Sequence, residues 1–101
     1  MLHAGRVDAN QAAIVKALRQ VGATVQSLAD VGGGVPDLLV GYRYRNFLLE
    51  VKDGNKPPSR QKLRETQKRW HALWKGDVSV VTTANEALEV LGFDVDEEDG
   101  T

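Results

Sequence analysis

Two short apolar runs, Leu38 to Val40 and Phe47 to Leu49, flank Arg43-Tyr44-Arg45. Strand-forming runs separated by so few residues can pair only by folding back on each other as a hairpin. The expected arms are Asp37 to Tyr42 and Phe47 to Lys52. If the chain reverses through two residues, cross-strand partners keep a constant sum of residue numbers, and Asp37 falls opposite Glu50. Directly opposed residues have Cβ atoms roughly 4.5–5.5 Å apart. Glu50 and Lys52, two apart on one strand, point to the same side. Three polar groups therefore converge on one spot, while Leu38, Val40, Leu49 and Val51 turn to the opposite face as core.

Two carboxylates so placed repel each other, so one takes up a proton or a cation sits between them. The spot has the chemistry of a divalent-metal phosphodiesterase. Mg²⁺ prefers hard oxygen ligands and is commonly held by one or two carboxylates plus substrate phosphate. A lysine beside it can orient or deprotonate the attacking water, or pair with phosphate oxygens. The bland reading is that Asp37 ends the preceding loop and that Glu50 and Lys52 form an ordinary ion pair on a solvated sheet face.

Around the hairpin, the segment from Arg6 to Gly22 has the spacing of an amphipathic helix, with Ile14, Leu18 and Val21 on one side and Gly22 as its stop. Asp8 with Gln11 three residues on is a capping-box pattern. Ala23 to Leu28 alternates like a strand, and Ala29 to Pro36 is a glycine-rich loop. The loop lacks the GxxxxGK[ST] spacing, which excludes a P-loop and a nucleotide cofactor. Pro57 and Pro58 break regular structure. A second helix is expected from Arg64 to Trp74, with Leu63, Trp70, Leu73 and Trp74 as its apolar stripe and Trp70 and Trp74 filling the core. "VSVVT" reads as a buried strand. The last helix starts at a Thr83/Glu86 capping box and stops at Gly92. The order αβββαβα makes one α/β domain over residues 1–92, with a central mixed sheet flanked by helices.

The net charge of −1 averages two unlike parts. Residues 1–76 hold all 13 Lys and Arg against 6 acids, and residues 77–101 hold 8 acids and no base. Between Lys52 and Lys75 there are 8 bases and 2 acids. That excess suits a polyanion such as nucleic acid, with Lys56, Arg60, Lys62, Arg64 and Lys68 as the candidate contacts. A solvated helix face is the other account of it. Residues 93–101 read as an acidic, disordered tail. The chain has no cysteine, so disulfides and thiolate metal sites are excluded. No apolar segment approaches the ~20 residues of a membrane span, and the N-terminus has no signal-peptide core. The expected location is the cytoplasm, with no membrane partner.

Pro36-Asp37 followed, after a 12-residue gap, by Glu50-Val51-Lys52 in this element order resembles the PD-(D/E)xK nuclease superfamily, whose core is the restriction-endonuclease-like αβββαβ fold. More closely, "GGGVPDLLVG…NFLLEVKDG" followed by a Gln-bearing helix is similar to a VRR-NUC domain of the short, stand-alone phage and bacterial kind, over residues 6–92. The resemblance implies a Mg²⁺- or Mn²⁺-dependent endonuclease that hydrolyses phosphodiester bonds. Asp37, Glu50 and the Val51 carbonyl would be metal ligands, Lys52 the catalytic lysine and Gln67 a further site residue. His71, four residues after Gln67, could face the same side. Superfamily members often carry an acid on the first helix; this helix offers Asp8, Asn10 and Gln11 but no Glu. The resemblance also implies branched DNA, such as four-way junctions or flaps, as substrate, a homodimer, and a bacterial or phage-infected cell. Two other functions fit the same residues: a non-catalytic nucleic-acid-binding module, and a plain protein-interaction domain.

Overall fold

A computed structural model describes residues 8–95. The elements are α1 (Gln11–Gln20), β1 (Thr24–Ser27), β2 (Leu38–Tyr42), β3 (Arg45–Val51), α2 (Pro58–Gln61), α3 (Glu65–Leu73), β4 (Ser79–Val81) and α4 (Ala84–Val90). The sheet runs β1-β2-β3-β4. Its first two pairings are antiparallel and β3 pairs with β4 in parallel, giving the mixed sheet expected from the order of elements. β2 and β3 pair Leu38 with Leu49 and Tyr42 with Arg45, the register of a two-residue reversal.

The apolar periodicities converge on one face of this sheet. Ile14 and Leu18 of α1 and Ala87 of α4 pack with Leu38, Val40, Leu49, Val51 and Val81 in a single buried cluster. Burying each Leu, Ile or Val is worth roughly 1.5–3 kcal/mol, so this cluster holds both helices on the sheet. The chain leaves α1 through Gly22 at φ +93°, a left-handed position that glycine adopts without a Cβ penalty.

Some local expectations are corrected. Asp8 does not cap α1: the N-cap is Asn10, and the Gln11 N–H bonds to the Asp8 carbonyl. The Asn10 side chain is instead drawn inward, its Nδ2 donating to the carbonyls of Lys52 at 3.0 Å and Thr82 at 2.6 Å. Trp70 and Trp74 do not fill the core. Their rings stack on each other at 4.6 Å, and Trp74 is 46% exposed, because α3 lies away from the face that α1 and α4 close. β4 is buried on one face only: Val81 joins the core, while Val80, pointing to the other side, is exposed where a buried strand was expected. The segment after Lys56 contains the single turn α2. Pro58 stands at its first position, where a fixed φ and a missing N–H cost nothing. At α4, the Thr83 hydroxyl accepts the Glu86 N–H as expected, but the Glu86 carboxylate returns to the N–H and hydroxyl of Thr82. Phe93 lies 5.5 Å from the Tyr42 ring, and the acidic segment from Asp96 onward falls outside the described residues.

The hairpin turn carries a cost. Arg43 and Tyr44 have φ of +53° and +65°, as a two-residue primed turn requires, and neither is the Gly or Asn that such turns favour. Left-handed backbone costs an ordinary L-residue about 1–2 kcal/mol, and the Tyr44 side chain is fully exposed. Replacing Tyr44 by Gly is therefore expected to stabilise the chain by about 1 kcal/mol, read as a higher urea midpoint at unchanged slope. An unchanged or lower midpoint would show that the turn is not strained.

Candidate active site

Asp37 ends the glycine-rich loop one residue before β2. Its Oδ2 accepts the Val51 N–H at 2.7 Å, which holds the carboxylate across the end of β3. Glu50 and Lys52 are both buried beneath α3, at 1% and 8% exposure. Gln67 ties them together. Its Nε2 donates to Glu50 Oε2 at 2.8 Å, and its Oε1 accepts from Lys52 Nζ at 2.9 Å and from the Arg64 N–H at 2.8 Å. Lys52 Nζ lies 3.8 Å from Glu50 Oε2. The Lys52 backbone is fixed as well, its N–H to the Val81 carbonyl and its carbonyl to Asn10. Polar groups this buried are tolerated only with such hydrogen-bonded surroundings.

These residues line a cleft of about 330 Å³. Asp8, Asp37, Glu50, Val51, Lys52 and Gln67 contribute to it, together with Lys56, Ser59, Lys62 and Arg64. The cleft thus gathers most of the sequence candidates, but Asn10, Gln11 and His71 are not among its lining residues. Lys68 lies outside it, exposed and 3.4 Å from Glu65 on the same helix, and the Arg60 side chain falls outside what is described. Sequence reasoning missed Ser59, because the turn of α2 that carries it was read as irregular. It named Asn10 only among the first-helix candidates; an Asn at a helix start signals a cap, and nothing local shows that this one reaches carbonyls 42 and 72 residues away.

Burial first, and then the charge and hydrogen bonding of Asp37, push the Glu50 carboxyl up to about 8, against smaller opposing effects of Lys52 and Arg64. The His71 imidazole is lowered from its ordinary value, by burial and then by Lys52. Below the ordinary carboxylate value of 4.5, Glu50 is protonated folded or unfolded. Between there and about 8, the folded chain keeps a proton that the unfolded chain releases, so stability falls as pH rises through that window. The metal-free protein is thus expected to melt lower at pH 8 than at pH 5, and added Mn²⁺ to recover more of the loss at pH 8. A melting temperature that rises steadily over this range would contradict the buried, proton-holding Glu50.

The donors suit a hard divalent cation. Among the described residues no three His, Cys, Asp or Glu side chains gather into a closed metal cage, whereas Mg²⁺-type sites use one or two carboxylates and leave positions for water and phosphate. Asp37, Glu50 and the Val51 carbonyl at an open cleft fit that pattern, and Glu50 Oε1 is buried without a hydrogen-bond partner.

No family model and no curated protein matches the sequence. A solved structure described as a VRR_NUC domain does match. It is 28% identical with a TM-score of 0.60, and the match covers 80% of this chain and 88% of that one. The four-strand mixed sheet flanked by helices is consistent with the fold of a VRR_NUC domain. The resemblance read from the Pro36-Asp37 and Glu50-Val51-Lys52 motifs thus holds at the level of the fold, over 80% of the chain. Among the described residues no helix is long and apolar enough to cross a membrane.

Proposed function

We propose that this chain is a metal-dependent, structure-selective DNA endonuclease that hydrolyses phosphodiester bonds in branched DNA such as four-way junctions or flaps. The observation that carries the reading is the bonded set Glu50–Gln67–Lys52 beside Asp37, in a cleft that also receives Lys56, Lys62 and Arg64. A Mg²⁺ or Mn²⁺ ion bound by Asp37, Glu50 and the Val51 carbonyl would lower the pKa of a water molecule and offset charge developing on the phosphate. Asp37 and Glu50 supply the negative charge that selects a cation, and their rigid strands fix its position. Lys52, held by Gln67 at 2.9 Å, orients the attacking water or the scissile phosphate and moves a proton at its Nζ. Lys56, Lys62 and Arg64 neutralise phosphates of the strand being cut. Lys68, turned outward, adds only to the long-range field.

A domain spanning residues 1–92 offers little surface for reading a branch, and a four-way junction presents two equivalent strands. A homodimer would match that symmetry. The same reading puts the protein in the cytoplasm of a bacterial or phage-infected cell.

The test is incubation with labelled four-way junction, flap, nicked and linear duplex DNA, with Mn²⁺, Mg²⁺ or chelator. Metal-dependent products are expected from the branched substrates. Lys52→Ala should lower the rate by about 10²–10⁴-fold while leaving DNA binding. Full activity in that variant would remove the lysine from the mechanism. Salt-sensitive binding with no cleavage of any DNA would favour a non-catalytic nucleic-acid-binding module on the same fold.

A further inference from the structure

Three buried side-chain atoms among the described residues lack a hydrogen-bond partner, and two of them face each other. Glu50 Oε1 and His71 Nε2 are 3.7 Å apart, on side chains that are 1% and 14% exposed. A buried polar atom left unpaired costs roughly 1–3 kcal/mol, so two orphans this close to one another call for an account. The other carboxylate oxygen is already held: Glu50 Oε2 accepts from Gln67 Nε2. Gln67 and His71 stand four residues apart on α3 and so share one side of it. Trp70, the preceding residue, meets the His71 ring edge to face with 6.1 Å between centroids, and Trp70 is stacked on Trp74. The aromatic pair that the sequence suggested for the core thus lies beside the histidine instead.

We propose that His71 is a positioning residue, whose Nε2–H closes onto Glu50 Oε1 so that each oxygen of the carboxylate is held from α3 and its remaining lone pairs are aimed at the cation site. The idea rests on the metal-dependent reading above. Each carboxylate oxygen can accept twice, so a donor on each one fixes the carboxylate plane without using up the sites that face the cleft. A neutral imidazole carrying its proton on Nε2 supplies the one donor this contact needs and leaves the charge of Glu50 for the cation. Partners of this kind, which orient a ligand without touching the metal, typically change metal affinity by 10–100-fold.

The test is Mn²⁺ titration of the whole chain by calorimetry, without DNA, comparing the parent with His71→Phe and His71→Gln, each checked for folding by its melting transition. Phe keeps a ring against Trp70 but has no donor; the Gln side chain can place its Nε2–H where the imidazole had one. His71→Phe is expected to weaken Mn²⁺ binding by about 10–100-fold and His71→Gln to restore parent-like affinity. The Mn²⁺ paramagnetic resonance spectrum should be altered in the Phe variant alone. Parent-like affinity in His71→Phe would overturn the proposal, as would a Gln variant as weak as Phe. If the parent itself takes up no Mn²⁺, the metal-dependent reading fails first and takes this inference with it. Uptake by the parent with no effect of either substitution would remove His71 alone.

Discussion

Glu50→Gln is expected to make the metal-free protein melt higher at pH 8 than the parent, while lowering DNA cleavage by at least about 100-fold, the upper end for loss of an orienting partner alone. The two effects have one cause. Glu50 is 1% exposed, next to Asp37, and its carboxyl is pushed up to about 8, so ionising it within the fold is unfavourable. An amide of the same shape removes the charge that the fold disfavours and keeps an oxygen for Gln67 Nε2, now 2.8 Å from Glu50 Oε2. The same change removes the negative charge that would select the cation. Stability gained where activity is lost is the mark of a residue kept for chemistry. Melting curves at pH 5 and pH 8 give the first arm and a junction-cleavage time course the second. A variant that melts lower than the parent at pH 8 would show Glu50 to be a structural ion-pair partner instead.

The second large effect belongs to the glycine loop. Gly34 has φ +86°, and a Cβ there would lie 2.2 Å from the Thr66 carbonyl oxygen and 2.6 Å from its carbon. Both contacts are with backbone, at the start of the helix that carries Gln67 and His71. Gly34→Ala therefore combines left-handed strain of about 1–2 kcal/mol with overpacking of about 1–3 kcal/mol. It is expected to destabilise the chain by about 2–5 kcal/mol and to displace α3 from Glu50 and Lys52. Gly33→Ala is the control. Its φ is +67° but nothing lies within 4 Å, so only the backbone cost of about 1–2 kcal/mol applies. Equal midpoints for the two variants in urea unfolding would refute the close approach of loop and helix.

Much of this was legible in the chain because it follows from local rules. Period-2 and period-3.6 apolar spacing located the helices and strands, and the short reversal at Arg43-Tyr44 fixed the register that sets Asp37 beside Glu50. What escaped depends on distant partners. Asn10 was offered only as a first-helix candidate but ties together the carbonyls of Lys52 and Thr82, just past β3 and β4. Trp74 looked like core, yet α3 ends at Leu73 and leaves Trp74 lying against Trp70, on the side of the sheet that α1 and α4 do not cover. Gln67 was implied by the family resemblance, but not its simultaneous bonds to Glu50, Lys52 and the Arg64 backbone. Ser59 gave no signal, because the paired prolines before it read as a break in structure instead of a helix start.

The central claim is that Asp37 and Glu50 hold one cation between them, and calorimetric titration of the metal-free chain with Mn²⁺ at pH 8 tests it most directly. Saturable uptake is expected, weakening as pH falls toward 5 and disappearing in Asp37→Ala, with the variant still folded. No uptake by the parent, or undiminished uptake by Asp37→Ala, would contradict it.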